Sequence, residues 1–342
     1  MRYNILEKTV IVLLLVLLIP PFVVSQESES YKNQWFIEAK SQWLKKDIGN
    51  NIILAEQRTY DTNALVNMLS TQSVNFNHKS KLALKIGRTF NKWLSMEASY
   101  YGIYHWQDSK WIKNKSKDPD IPNQFYSIGL IGLSQNFSAI NRVDFSTSTE
   151  LYNFELGVRY KSSSFFNYVL TAFRYIYIKD KLILKANGVY YENSISDQSD
   201  VETTNKILAW QIGSNHALEF GNFVLSLSGK WGLGFNFNNM DIVEKSNGFL
   251  NGNLIDLNGE TTSLCSLLDL NLSTRVMMGT HISFFGSYQL LYVNGLSLAA
   301  YQILLLGNAS SMGLEVTESP VKTNHKSTMK FYGFNIGCAL HW

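Results

Sequence analysis

From about residue 35 onward the chain alternates. In FVLSLSGKWGLGFNF one face carries Phe223, Leu225, Leu227, Trp231, Leu233, Phe235 and Phe237. The other carries Val224, Ser226, Ser228, Lys230, Gly232, Gly234 and Asn236. A period of two places successive side chains on opposite faces of a strand. The pattern returns at Tyr152, Phe154, Leu156, Val158 and Tyr160 against Asn153, Glu155, Gly157 and Arg159. It returns again in CSLLDLNLSTR, HISFFGSYQLLY and the closing KFYGFNIGCALHW, and more weakly in KLALKIGR, WLSMEASYYGIYHW and TNKILAWQIGSN. Such runs reach roughly 10 to 15 residues, twice the common strand length and about what a tilted strand needs to cross a bilayer. The apolar face must be covered, by a second sheet or by hydrocarbon. A sandwich predicts shorter strands. Aromatics gathered toward strand ends, as in Tyr152, Tyr160, Trp231 and Phe237, match interfacial girdles. The expected fold is an all-β, antiparallel transmembrane β-barrel of about twelve strands, with ten as the alternative.

The first residues read differently. Arg2 and Lys8 flank a short charged start, and VIVLLLVLLIPPFVV follows, the length of a signal-peptide apolar core. Pro20 and Pro21 would break a spanning helix, and QESES begins a polar stretch. Residues 1–25 are therefore expected to be a signal peptide, cleaved between Ser25 and Gln26. Residues 26–342 are expected to form a single outer-membrane barrel, in the bacterial outer membrane. The formal net charge of +3 over 342 residues gives no argument for a nucleic-acid partner. The two cysteines lie on opposite strand faces: Cys338 on an apolar face, Cys265 on the face of Asp269, Asn271 and Arg275. Their sulfurs are not expected to meet.

Barrels alternate short turns with longer external loops. Long connections are expected near 45–79, 107–124, 192–202, 238–261 and 295–329. Short ones are expected near 89–92, 161–164, 179–181, 217–222 and 277–279. Two consecutive short connections break the alternation. A weak strand at Phe125–Gln135 restores it, with 161–164 as a short external turn. LYVNGLSLAAYQILLLG, interrupted by Asn294, Gly295 and Gln302, reads as a strand followed by an apolar loop or short helix. The last strand is expected to close the barrel against WFIEAKSQWL. Its terminal Trp342 resembles an assembly signal, which implies the barrel-assembly machinery as a partner.

STELYNFELGVRY, TAFRYIYIKDKL, TTNKILAWQIG, the Lys-Trp-Gly of LSGKWGLGFN, and GSYQLLYVNGLSLAAYQI resemble, in that order, the porin-7 type family of outer-membrane β-barrels. Gly157 stands where that family often has Asn, and Ala172 where it often has Gly. The resemblance implies an outer-membrane barrel and no substrate, since the family is named for its architecture.

Polar positions opposite the apolar faces are expected to line the lumen: Glu97, Asn153, Glu155, Arg159, Arg174, Lys185, Asn205, Gln211, Lys230, Asp269, Asn271 and Arg275, with Glu38, Lys40 and Lys85 beside them. Their mixed signs fit an internal salt-bridge network or a narrow selective pore. The family reading singles out Glu155, Arg159, Arg174 and Gln211. The lipid face and girdles are expected at Tyr152, Tyr160, Phe223, Trp231, Phe237 and Trp342. His281-Ile282-Ser283 has the spacing of an outer-membrane phospholipase pair, yet by parity His281 and Ser283 face the lumen and no third member is evident. No enzyme activity is expected. The six histidines are dispersed, with no ligand spacing, so neither a metal nor a cofactor is expected. The leading expectation for function is a porin-like channel for small polar solutes. The alternatives are a plugged, surface-exposed barrel whose external loops bind a partner, and a lipid-active enzyme. Outer-membrane lipids are the expected surroundings, and a homo-oligomer is left open.

Overall fold

The computed structural model describes residues 34–48, 51–58, 65–113, 124–127, 140–161, 168–190, 193–247, 252–303 and 326–342. Its strands are β1 (Gln34–Ile48), β2 (Ile53–Arg58), β3 (Leu65–Ser70), β4 (Lys79–Thr89), β5 (Leu94–Lys113), β6 (Gln124–Ser127), β7 (Ile140–Lys161), β8 (Tyr168–Tyr190), β9 (Asn193–Phe220), β10 (Phe223–Ser246), β11 (Gly252–Met278), β12 (Ile282–Leu296) and β13 (Ser327–His341). Ten of them close into a barrel in the order β1-β13-β12-β11-β10-β9-β8-β7-β5-β4, and β1 pairs with β4 to complete the ring. Every neighbouring pair is antiparallel. The strand count is thus the lower of the two expected.

The seam lies where the sequence places it. β1 and β13 pair with Ile37 opposite Leu340 and Ala39 opposite Cys338. The Trp35 and Trp342 backbones exchange hydrogen bonds of 2.7 and 3.0 Å. Closure leaves no free edge along the wall, which is what a sheet in hydrocarbon requires. At the end of the barrel holding this seam, β4–β5, β9–β10 and β11–β12 turn over within a few residues. Gly221 and Gly279, at φ 59° and 79°, make the left-handed turns there. This is the hairpin end.

Two connections differ from expectation. Residues 179–181 are interior to β8, which runs unbroken through them. The β7–β8 connection, expected to be external, therefore belongs to the hairpin end. Of the extra strand expected at Phe125–Gln135, the residues described, Phe125 to Ser127, are not in the barrel. They belong to β6, which pairs with β2 in a separate sheet of order β3-β2-β6, and residues 128–135 lie outside the described residues. With ten strands successive connections fall at opposite ends of the barrel without that extra strand, although β8–β9 and β10–β11, at the end opposite the hairpins, are also short. The short turns near 89–92, 217–222 and 277–279 and the long excursion near 45–79 fall as expected.

β7 to β11 have 22, 23, 28, 24 and 27 residues. A membrane crossing takes about 9–11. The surplus rises above the apolar belt, so 192–202 and 238–261, expected as loops, are mostly paired strand. The reason is a reversal of amphipathicity within single strands. On β10 the outward side chains Trp231, Leu233, Phe235 and Phe237 are exposed while Gly232, Gly234 and Asn236 are buried. Farther on, Asp241 and Lys245 point out and Met240 and Ile242 point in. The lower half is built for hydrocarbon outside and the upper half for water outside. From Phe223 to Phe237 is 14 residue steps. At ~3.3 Å per residue and a tilt of about 40° the belt rises about 35 Å along the axis, enough for a bilayer core with its girdles.

Candidate functional site

The barrel interior is the site where chemistry concentrates, and it has two layers. Nearest the hairpin end, Glu38 on β1 contacts Arg275 from β11 and lies 3.7 Å from Lys85 on β4. Lys85 also pairs with Glu97 on β5 at 3.0 Å, and Glu97 takes two contacts from Arg159 on β7, at 2.8 and 3.0 Å. Five charged side chains from five strands thus form one chain of ion pairs. Arg159 and Arg275 remain 28% and 29% exposed, so water reaches this layer from the hairpin end.

The next layer is drier, with Glu155 and Asp269 almost fully buried and Lys230 partly exposed. Arg174 on β8 is 1% exposed and donates from each of its three guanidinium nitrogens. It donates to Asp269 at 2.6 Å, to Asn153 at 2.5 Å and to the Tyr101 hydroxyl at 2.7 Å. Glu155 receives both carboxylate contacts from Lys230 at 2.8 Å, and Lys230 lies 3.5 Å from Asp269. Gln289 donates to Asp269 at 3.0 Å, Gln42 donates to Gln289 at 2.8 Å, and the Tyr104 hydroxyl donates to Gln42. A continuous polar relay therefore crosses the lumen from β5 through β1, β12 and β11 to β8 and β7. A buried charge is tolerated only when paired and hydrogen-bonded, and each charge here has an opposite partner.

Above the relay the interior becomes a hydrophobic core. Leu44, Trp106, Phe145, Leu151, Ile176, Ile178, Ile207, Leu267, Val293 and Phe331 are all buried there. Tyr104 and Trp106 stack at 5.2 Å, and Phe331 lies 5.6 Å from Trp106. Two segments enter from the loop end. Ile52, Leu54, Leu69, Val74 and Phe76 of the excursion after β1 join the core. After β12, Gly295 at φ 85° turns the chain inward, where an added Cβ would lie 2.5 Å from the Leu264 carbonyl. Residues 299–303 then form one helical turn. Leu298, Ala299, Ala300 and Ile303 pack inside, as buried as the wall itself. The strand followed by a short helix expected for this stretch is what forms.

This plug is pinned by polar contacts. Asn205 accepts from the Ser297 backbone N–H at 2.8 Å and donates to its carbonyl at 2.7 Å. Asn236 donates to Asn205 at 2.8 Å and to the Gly295 carbonyl at 2.9 Å. Asp180 accepts from the Ala299 N–H at 3.2 Å and pairs with the buried Lys46 at 3.3 Å. Thr149 joins Lys46 and Asp180.

Eleven of the twelve residues expected in the lumen point into it. Lys185 does not. On β8 the buried positions are even throughout, from Ala172 through Arg174, Ile178 and Leu182 to Ala186. A turn at 179–181 would have reset that parity, and there is none. Lys185 is therefore on the outer face, above the belt. Gln211 is fully buried in the lumen, and neither amide atom finds a partner among the described residues. Gly232 opposite makes room for it, since a Cβ there would lie 2.7 Å from Gln211. Asn271 faces inward beside Ser228. Tyr160, Phe223, Trp231, Phe237 and Trp342 are exposed on the outer face, and Tyr152, half-buried there, stacks on Tyr177 at 4.4 Å. Cys265 is buried inside and Cys338 exposed outside, both as free thiols. His281 contacts the main-chain oxygen of His341 at 3.0 Å, while Ser283 points inward.

Sequence reading missed Tyr101, Gln42, Gln289, Lys46 and Asp180. Gln42 and Gln289 were readable by parity, beside Leu44 and opposite Tyr288. Lys46 and Asp180 stand in stretches expected to be connections.

These features define a closed antiparallel β-barrel with an apolar belt and a polar-to-apolar filled interior, the architecture of an outer-membrane β-barrel. No protein-family model and no curated protein matches the chain. Similar solved structures include the translocator domain of the autotransporter NalP from Neisseria meningitidis, at 9% identity over 90% of this chain and 88% of that one, with a TM-score of 0.37. OprG from Pseudomonas aeruginosa matches at 9% identity over 91% and 97%, with a TM-score of 0.25. A Pseudomonas aeruginosa FadL homologue matches at 7% identity over 91% and 90%, with a TM-score of 0.25. Likenesses of this size add nothing to what the strand pairing establishes by itself.

Proposed function

We propose that this chain is a bacterial outer-membrane barrel whose lumen is closed, and whose work is done at its surface-exposed rim. The observation that carries this reading is the plug: residues 297–303 lie inside a ten-stranded wall, on top of a hydrogen-bonded relay that spans it. Open aqueous channels are typical of 16 to 18 strands. Short turns are periplasmic in such barrels, so the hairpin end faces the periplasm and the extended upper strands of β7–β11 stand outside the cell. Outer-membrane lipids cover the belt. The closing strand β13, ending near Trp342, is the segment offered to the barrel-assembly machinery. No catalytic role is assigned to His281 and Ser283.

A porin-like channel for small polar solutes, in keeping with the porin-7 resemblance, is the second reading. One observation favours it: the hairpin half of the lumen is charged and reached by water. It requires the 297–303 segment to leave the barrel. Proteoliposome swelling separates the two. The closed reading expects swelling in arabinose no faster than in protein-free liposomes, with insertion confirmed by heat-modifiable migration. Swelling at porin rates by the unmodified chain would overturn it.

A further inference from the structure

Arg88 is out of place on the lipid face. On β4 the inward positions are Ala83, Lys85 and Gly87, and Leu82, Leu84, Ile86 and Arg88 point outward. Arg88 is one residue from the end of β4 at the hairpin end, so it sits at girdle level. Its guanidinium lies over the rings of Trp35 and Phe90, at 5.2 and 5.4 Å. Its Nε is buried with no acceptor among the described residues. Glu97, which also borders this region, is committed inside the wall to Lys85 and Arg159. Among the described residues the outer face of the belt around Arg88 therefore offers it no counter-ion.

Beside it is a groove. On the rung above Arg88, Ala98 stands between Ile86 and Leu156, and its small side chain leaves a trough flanked by Trp35 and Met96. The cavity has a volume of about 250 Å³. It is apolar along its length and cationic at one end. A charged end at the interface and an apolar length toward the bilayer centre match an amphiphile with an anionic head.

We propose that this groove is a binding site for one phospholipid, with its phosphodiester on Arg88 and an acyl chain against Ile86, Ala98, Met96 and Leu156. Guanidinium is the side chain best matched to a phosphate's paired oxygens, and desolvation by Trp35 and Phe90 strengthens that contact. The complement is of charge and shape together: an aliphatic chain fills the trough and the phosphate supplies the acceptor that Nε lacks. The site rests on the reading that the belt lies in a bilayer.

The test is native mass spectrometry of the full chain in detergent micelles doped with dioleoyl phosphatidylglycerol, alongside Arg88→Gln and Arg88→Lys. The wild type should keep one lipid through collisional release of detergent. Arg88→Gln should bind it roughly tenfold more weakly, the loss expected of one charge-assisted contact, and Arg88→Lys should fall between. Ala98→Phe, which fills the trough and leaves Arg88 in place, should also lose the lipid. Dioleoylglycerol, which has no phosphate, should not be retained. Glycerol phosphate in tenfold excess should not displace the lipid; displacement would make the site one for a free phosphate and overturn the lipid assignment. Equal retention by wild type and Arg88→Gln, or retention of dioleoylglycerol, would overturn the proposal. Heat-modifiable migration of every variant reports the barrel separately. If that fails for the wild type, the membrane reading is at fault and not the lipid site.

Discussion

The two halves of the lumen solve the same problem by opposite means. Both must fill a narrow cylinder. Near the hairpin end the filling is charge: Glu38, Lys85, Glu97, Arg159 and Arg275 join strand to strand while water still reaches the arginines. Toward the loop end the filling is hydrocarbon, with Trp106, Ile176, Leu267, Val293 and Phe331 packed around Leu298 and Ile303. The outer surface shows the inverse, apolar below and polar above. Where the bilayer takes the apolar side chains outside, the interior can be wet and charged. Where water lies outside, the barrel must supply its own hydrophobic core. The level of Arg174 is the boundary, and above it the one described ion pair of the interior, Lys46 with Asp180, is as dry as Arg174 with Asp269.

That contrast can be broken by mutation. The largest effect is expected at the boundary. Arg174→Ala leaves the buried Glu155 and Asp269 to share Lys230 alone, and removing one partner of a buried ion network costs about 3–5 kcal/mol. Urea unfolding in lipid vesicles should show this; a loss below about 1 kcal/mol would mean that water reaches the relay. Asn205→Ala comes next. It strips two backbone groups of Ser297 of their partners within an apolar core, and about 1–3 kcal/mol per unsatisfied group is expected. Its mark is faster proteolysis after Leu298 in addition to lower stability. Arg159→Ala in the wet layer should cost about 1 kcal/mol or less, because solvent screens the partly exposed pair. A cost equal to that of Arg174→Ala would erase the distinction between the layers. Smallest of all is Lys185→Ala on the outer face, expected within about 0.5 kcal/mol of wild type. A larger loss would return Lys185 to the interior.

The legibility of the sequence followed the same boundary. In the belt, one face of each strand is apolar and the other polar, so parity alone placed Glu155, Arg159, Lys230, Asp269 and Arg275 inside and Phe223, Trp231 and Phe237 outside. The seam of β1 with β13 was readable for the same reason. Above the belt the amphipathicity reverses. Asp200 and Asp241 then point outward, and polar residues without an apolar lipid face read as loop. The run FRYIYIKDKLILK held the missing clue. Ile176, Ile178, Leu182 and Leu184 share one parity, so the buried face continues through Lys179 and Lys181 without a turn. Apolar residues on both faces, as in Tyr175 to Ile178, signal a strand covered on both sides. Lys185 was lost for want of that continuity. Docking of residues 297–303 within the lumen was beyond pattern reading, because it depends on Gly295 turning the chain and on Asn205 and Asp180 meeting it. Those contacts join residues about a hundred positions apart.

The central claim is that the cylinder is shut. Planar-bilayer recording of the refolded full-length chain tests it most directly, with a variant lacking residues 297–303 beside it. The account predicts a silent bilayer for the intact chain at moderate voltage, with insertion verified by protease protection of the belt. Regular, stepwise conductance from the intact chain, unchanged by removal of the 297–303 segment, would contradict it.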